Sequence, residues 1–437
     1  MNTLNAKFHC SSCQATYQLD ESVYDCKSCG GLLEVIHDQN AIKQRSADSW
    51  RTLFESRHYG SPGPYGSGVW RYHEWVLPEV ARDDIVTMGE GGTPLTLAKR
   101  LGDSLGLQIL VKQCGHSITG SFKDLGMTVL ISQLASMRRR GIKVPAVACA
   151  STGDTSAALA AYGAAAGLRT LVLLPRGKIT AAQMVQPLSS GAHVIAIDTD
   201  FDGCMKHVQR LCNEEGVYLA NSKNSLRIEG QKTVAFEIVQ ALGWQVPDWV
   251  AIPGGNLGNV SALVAGFSQL LEAGLITHLP KVLCAQAEQA NPLFRSYKEG
   301  FSPLIPLIAG VTQASAIRIG NPVSFPRAVR ALKQVDGVVE SVSETELTDI
   351  ARRADESGLY VCPHTAVALG AVEKQQQAGV IAKGARVVVV ATAHGLKFTE
   401  FKIATAADQV AGVNLGVERK PCEVPDDYAA VLKAALG

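Results

Sequence analysis

From about residue 94 onward, short, mostly apolar runs without polar alternation are interspersed with helix-length stretches. Runs over 145–150, 170–174, 192–197, 249–252 and 386–392 are predicted strands, and 155–167, 181–188, 202–215 and 259–273 predicted helices. A strand without polar alternation has both faces buried, which is the condition of a parallel sheet covered by helices on either side. The expected fold class is therefore α/β, with two lobes of parallel-rich sheet flanked by helices. A 46% apolar share against 19% charged residues supplies the core this needs and excludes a disordered chain.

Charge narrows the function. Lys and Arg number 41 against 40 Asp and Glu, which favours neither a nucleic-acid groove nor an anionic membrane surface. Phosphate recognition, if any, must come from a local site. Residues 1–9 lack the apolar segment of a signal peptide, and the apolar runs are strand-sized, so the expectation is a cytoplasmic chain with no membrane partner.

Of the 11 cysteines, Cys149, Cys284 and Cys362 read as small buried apolar residues. Cys10, Cys13, Cys26 and Cys29 do not. They form two Cys-x-x-Cys knuckles around a short β-rich stretch, the pattern of a closed four-thiolate Zn²⁺ site that braces a fold. Gly30 and Gly31 let the backbone fold under a metal. Disulfide or redox use, and unmetallated thiols, are the rivals. An aromatic connector over 48–86 follows this ribbon.

In open parallel sheets, ligands bind beyond the carboxyl ends of strands. Three predicted turns occupy such places: 151–155 (Ser-Thr-Gly-Asp-Thr), 253–259 (Pro-Gly-Gly-Asn-Leu-Gly-Asn) and 392–395 (Thr-Ala-His-Gly). The second lets several N–H groups converge at a helix start, which suits a phosphate, although a plain glycine turn reads the same way. Lys123, in Thr-Gly-Ser-Phe-Lys-Asp-Leu-Gly over 119–126, begins a predicted helix. It is either an exposed helix-start lysine or an amine with a depressed pKa, fit to form an imine.

Taken together, these strings resemble the fold type II pyridoxal-5′-phosphate (PLP) enzymes and, within them, the threonine synthases. Ser121-Phe-Lys-Asp resembles the family's lysine motif, and 253–259 its phosphate cradle. Asn221-Ser222, the stretch from Leu226 to Lys232, 316–322 and 362–365 are also similar, closest to the plant type from about Trp50 onward. The cysteine quartet departs from the plant pattern and resembles the zinc-ribbon start of some microbial members.

The resemblance implies conversion of O-phospho-L-homoserine and water to L-threonine and phosphate, in a homodimer. It implies a ribbon over 1–38, a large PLP domain over 39–125 and 223–437, and a small mobile α/β domain over 126–222. Lys123 would carry PLP and move protons. Gly254, Gly255, Asn256, Leu257 and Gly258 would hold the cofactor's phosphate, with Thr392 at its ring nitrogen. Ser151, Thr152 and Thr155 would bind the substrate carboxylate, and Ser222, Arg227 and Asn259 its phosphate. Asp154 receives no role, since an ionised carboxylate beside a phenolate-like oxygen repels it. Arg227 as a surface ion-pair partner is the plain alternative, and His364 and His394 read as structural. Cysteate synthase and threonine dehydratase are rivals on the same scaffold, and a non-catalytic zinc-ribbon sensor is one from another class.

Overall fold

A computed structural model describes residues 4–151, 153–177 and 181–436 (181–183 as backbone), and Thr152 lies outside them. The chain opens with β1 (Ala6–Cys10), β2 (Thr16–Tyr17) and β3 (Leu33–His37), an antiparallel sheet ordered β2-β1-β3. β4 (Leu95–Leu97) and β5 (Gln108–Lys112) follow, then β6 (Val147–Ala150), β7 (Thr170–Pro175), β8 (His193–Ile197) and β9 (Tyr218–Leu219). The last four strands are β10 (Trp249–Pro253), β11 (Lys281–Ala287), β12 (Val338–Val342) and β13 (Arg386–Val390).

They make two further sheets. One is six-stranded, ordered β12-β11-β10-β13-β5-β4 and parallel except at β4. The other is four-stranded and parallel, ordered β8-β7-β6-β9. In β13, Val388 and Val390 enter the core on one side while Val387 and Val389 enter the core on the other. Cys149 and Val172 part in the same way from Ala148 and Leu173. Two-sided burial is why these runs show no polar alternation.

The aromatic connector is core. Trp50 and Trp75 pack edge-on at 5.3 Å, and Trp75 meets Phe236 at 5.5 Å. Trp70 Nε1 donates to Thr128 Oγ1 at 2.8 Å, tying the connector to the helix Lys123–Arg139. Among the described residues no helix is long and apolar enough to cross a membrane.

Candidate active site

Lys123 starts its helix one turn after β5, and the loop before it is laced to the end of β13. Phe122 donates its N–H to the Thr392 carbonyl at 2.9 Å, and His394 donates to that of Gly120 at 2.9 Å. Asp124, fully buried, accepts from Ser117 Oγ at 2.6 Å and the Thr119 N–H at 2.9 Å, and also from Thr119 Oγ1. The turn that carries Lys123 is thus pinned from within and from the neighbouring strand. Burial, with the Arg227 guanidinium adding to it and Asp154 opposing, lowers the Lys123 amine to about 7. A buried amine of that kind is a competent nucleophile and base near neutrality.

Arg227 lies on the short helix Leu226–Gln231, which crosses the Lys123 helix at a glycine contact. A Cβ on Gly230 would fall 1.7 Å from the Leu125 carbonyl oxygen, and one on Gly126 would fall 2.6 Å from that of Arg227. Only glycine at both places lets the helices approach closely enough to set Lys123 and Arg227 on one cleft. Arg227 is 2% exposed. Its Nη1 donates to the Ala220 carbonyl at 3.0 Å and its Nη2 to Thr155 Oγ1 at 3.3 Å. Among the described residues its Nε has no partner, and both its hydrogen bonds go to neutral acceptors rather than to a carboxylate. The surface ion-pair reading of Arg227 is thereby excluded: it is a buried cation without an anion.

The two residues share a cleft also lined by Ser222, Gln231, Asn259 and Thr392. Asn221 sets Ser222 in place: its amide bonds both the N–H and the carbonyl of Ala150, at 3.0 and 2.8 Å, prolonging the β6–β9 ladder.

The loop after β10 turns through Leu257, held at φ 66°, into the helix Gly258–Glu272. The N–H groups of Gly255, Asn256, Leu257, Gly258 and Asn259 have no acceptor among the described residues. Gly254 differs, because its N–H continues the sheet by donating to the Ala285 carbonyl at 2.8 Å. Converging N–H groups at a helix start form an anion cradle. Ser324 Oγ, buried and unpartnered, would lie 3.6 Å from a Cβ on Gly258 and adds a donor that the sequence reading did not identify.

Not every expected residue faces the cleft. Thr155 stands behind Arg227 as its acceptor, and Ser151 Oγ accepts the Gly153 N–H at 3.2 Å. Asp154 does line the cleft, as does His364, whose Nε2 accepts the Ala316 N–H at 2.9 Å. These residues fit PLP on three structural grounds: a depressed buried amine, and, among the described residues, a free cradle of donors and a Thr392 hydroxyl without a partner.

At the N-terminus, the sulfurs of Cys10, Cys13, Cys26 and Cys29 lie within 4.8 Å of one another. The Cys10–Cys29 and Cys13–Cys26 pairs are 3.5 and 3.4 Å apart. Tetrahedral Zn²⁺–thiolate bonds set sulfurs about 3.8 Å apart, so the donor set fits zinc. The ribbon reaches the cleft from behind. His37 Nε2 contacts Glu229 Oε2 at 2.6 Å, Lys232 closes that buried triad, and Ser225 Oγ donates to the Leu33 carbonyl.

Residues 86–393 match the pyridoxal-phosphate dependent enzyme family. Over 421 residues the chain is 51% identical to threonine synthase 2, chloroplastic, of Arabidopsis thaliana, spanning 95% of this chain and 81% of that protein. The chain belongs to the threonine synthases. The family member of Methanocaldococcus jannaschii is 40% identical over 403 residues, 92% of this chain and 95% of that one. The crystal structure of threonine synthase from Escherichia coli matches with a TM-score of 0.68 at 21% identity, covering 98% of this chain and 99% of that one. Maize serine racemase shares the fold, with a TM-score of 0.60 over 71% of this chain and 92% of that one at 21% identity.

Proposed function

We propose that this chain converts O-phospho-L-homoserine and water to L-threonine and inorganic phosphate. The observation that carries the reading is Arg227, a buried guanidinium with no anion among the described residues, sharing a cleft with a depressed lysine amine. A phosphorylated substrate supplies the missing charge.

Bound PLP supplies the electron sink that allows bonds at the substrate's α- and β-carbons to break. The free N–H groups from Gly255 to Asn259, with Ser324 Oγ, hold the cofactor's phosphate; Gly254 supports them through the sheet. Thr392, on the cleft wall, would supply a neutral partner for the ring nitrogen. Lys123 Nζ would remove the α-proton and then a β-proton, and would return protons to the γ-carbon as phosphate leaves and, last, to the α-carbon. Arg227, Ser222 and Asn259 retain the γ-phosphate until it leaves, and a water adds at the β-carbon. The turn that begins at Ser151 orients the substrate carboxylate, while Thr155 positions Arg227 for the phosphate. Residues 126–222 act as the mobile domain that closes over the cleft and excludes bulk water.

The test is direct. Addition of O-phosphohomoserine to the PLP-loaded protein is expected to shift its visible band and release threonine and phosphate in equal amounts. A band with no threonine, or equal turnover of phosphoserine, would discard this substrate.

The reading extends to structural zinc, a homodimer and a cytoplasmic location. All 11 cysteines are free, as a reducing compartment keeps them. Exposed Ile305, Ile308 and Val311 offer a second copy apolar surface to cover. Light scattering at twice the chain mass checks the dimer. Purified protein is expected to hold one zinc per chain, measured by elemental analysis. Chelation is expected to lower Tm and raise KM for the phosphorylated substrate, because β3 braces the Arg227 helix through His37 and Leu33.

A further inference from the structure

Lys397 stands on the short turn Gly395–Phe398 after β13, 20% exposed at its side chain. Its ammonium meets the Thr119 carbonyl at 2.8 Å, Gln186 Oε1 at 2.8 Å and Asp154 Oδ1 at 2.9 Å. Each of its N–H bonds therefore has an acceptor. Gln186 Nε2 closes the ring by donating to the same Thr119 carbonyl at 3.1 Å. The three acceptors come from different places. Thr119 belongs to the turn that carries Lys123, Gln186 to the helix Ala181–Ser189, and Asp154 opens the helix Asp154–Ala165.

Asp154 presents a carboxylate to the cleft with its side chain only 9% exposed. Left alone, such a charge would hold a proton on a nearby nitrogen and oppose electron-rich groups in the cleft. The Lys397 ammonium at 2.9 Å partly offsets that charge. Among the described residues, the other charged and titratable groups nearby are Arg227, His364 on the cleft wall and His394, which packs with Lys397 against Gly120.

We infer that Lys397 is a positioning residue for the reaction, which neutralises Asp154 and fixes it against the Lys123 turn, so that the charge felt at Lys123 is set by this pair. The inference rests on the reading that Lys123 carries the cofactor. It also explains how an acid is tolerated at position 154.

The test compares the PLP-loaded enzyme with Lys397→Met, Asp154→Asn and the double variant. Two midpoints are followed across pH: that of the visible band and that of the acidic limb of kcat/KM. Lys397→Met leaves the carboxylate unpaired and is expected to raise the midpoint by about one unit. Asp154→Asn leaves the ammonium unpaired and is expected to lower it. The double variant is expected to return both midpoints towards those of the unaltered enzyme. Midpoints unmoved in Lys397→Met overturn the inference, as do single variants that shift in the same direction. Should Lys397→Met not fold, a midpoint that is unmoved or raised in Asp154→Asn is sufficient to overturn it. A wild-type protein with added PLP and no visible band overturns this inference and the Lys123 reading together; a band indifferent to position 397 overturns this one alone.

Discussion

Lys123→Ala is expected to remove the visible band of lysine-bound PLP and to lower turnover by about 10⁴-fold or more, the loss of a proton-transferring base together with a covalent anchor. Absorbance and a threonine assay on the same sample check it, and a variant that keeps both would end the mechanism. The side chain's own chemistry sets a second expectation. Its amine lies at about 7 in the folded chain against an ordinary 10.5, chiefly because of burial. Between those two values the unfolded chain holds the proton and the folded chain does not. Stability of the PLP-free protein therefore rises with pH across that window, and the penalty is complete below about 7. Lys123→Ala removes the penalty, so without PLP the variant unfolds at higher Tm than wild type near pH 7. Uptake of PLP by the wild-type chain needs the neutral amine and is expected to quicken as pH rises through about 7.

The loop after β10 and Thr392 were legible because each follows an apolar strand run, and turns at the carboxyl ends of parallel strands are where ligands bind, whereas Lys123 was legible through its own motif at a helix start. That rule is local, and it fails where register decides. Gly254 reads as a cradle donor, yet the pairing of β10 with β11 takes its N–H for the sheet. β9 is only two residues long and β5 is bounded by polar residues, so neither stands out as a strand, although β9 leads into Ser222 and β5 into the Lys123 loop. The Asp154–Lys397 pair joins two turns far apart in sequence, and no spacing announces it. Ser324 reaches the cradle in the same long-range way. The cysteine quartet was legible because its two knuckles are each local and its strands hairpin-close.

Arg227→Met separates what holds the fold from what serves the reaction. Removing one member of a buried ion pair destabilises a protein, because the other charge is left behind. Arg227 has no such partner among the described residues, and burial already pulls its guanidinium down to about 10. The bonds it would forfeit go to the Ala220 carbonyl and Thr155 Oγ1, both neutral. An apolar side chain of similar length relieves the cost of an isolated buried cation and loses two modest hydrogen bonds. Stability is therefore expected to stay level or rise by about 1 kcal/mol. Activity should move the other way. A desolvated guanidinium binding a phosphate is worth several kcal/mol, so kcat/KM for O-phosphohomoserine is expected to fall by about 10²-fold or more. Competition by inorganic phosphate should be lost with it, while the visible band, which depends on Lys123, remains. Thermal unfolding of the PLP-free variant, steady-state kinetics and phosphate inhibition together check the claim. A large fall in Tm, or retained phosphate inhibition, would assign Arg227 to the core and require another residue to hold the substrate's phosphate.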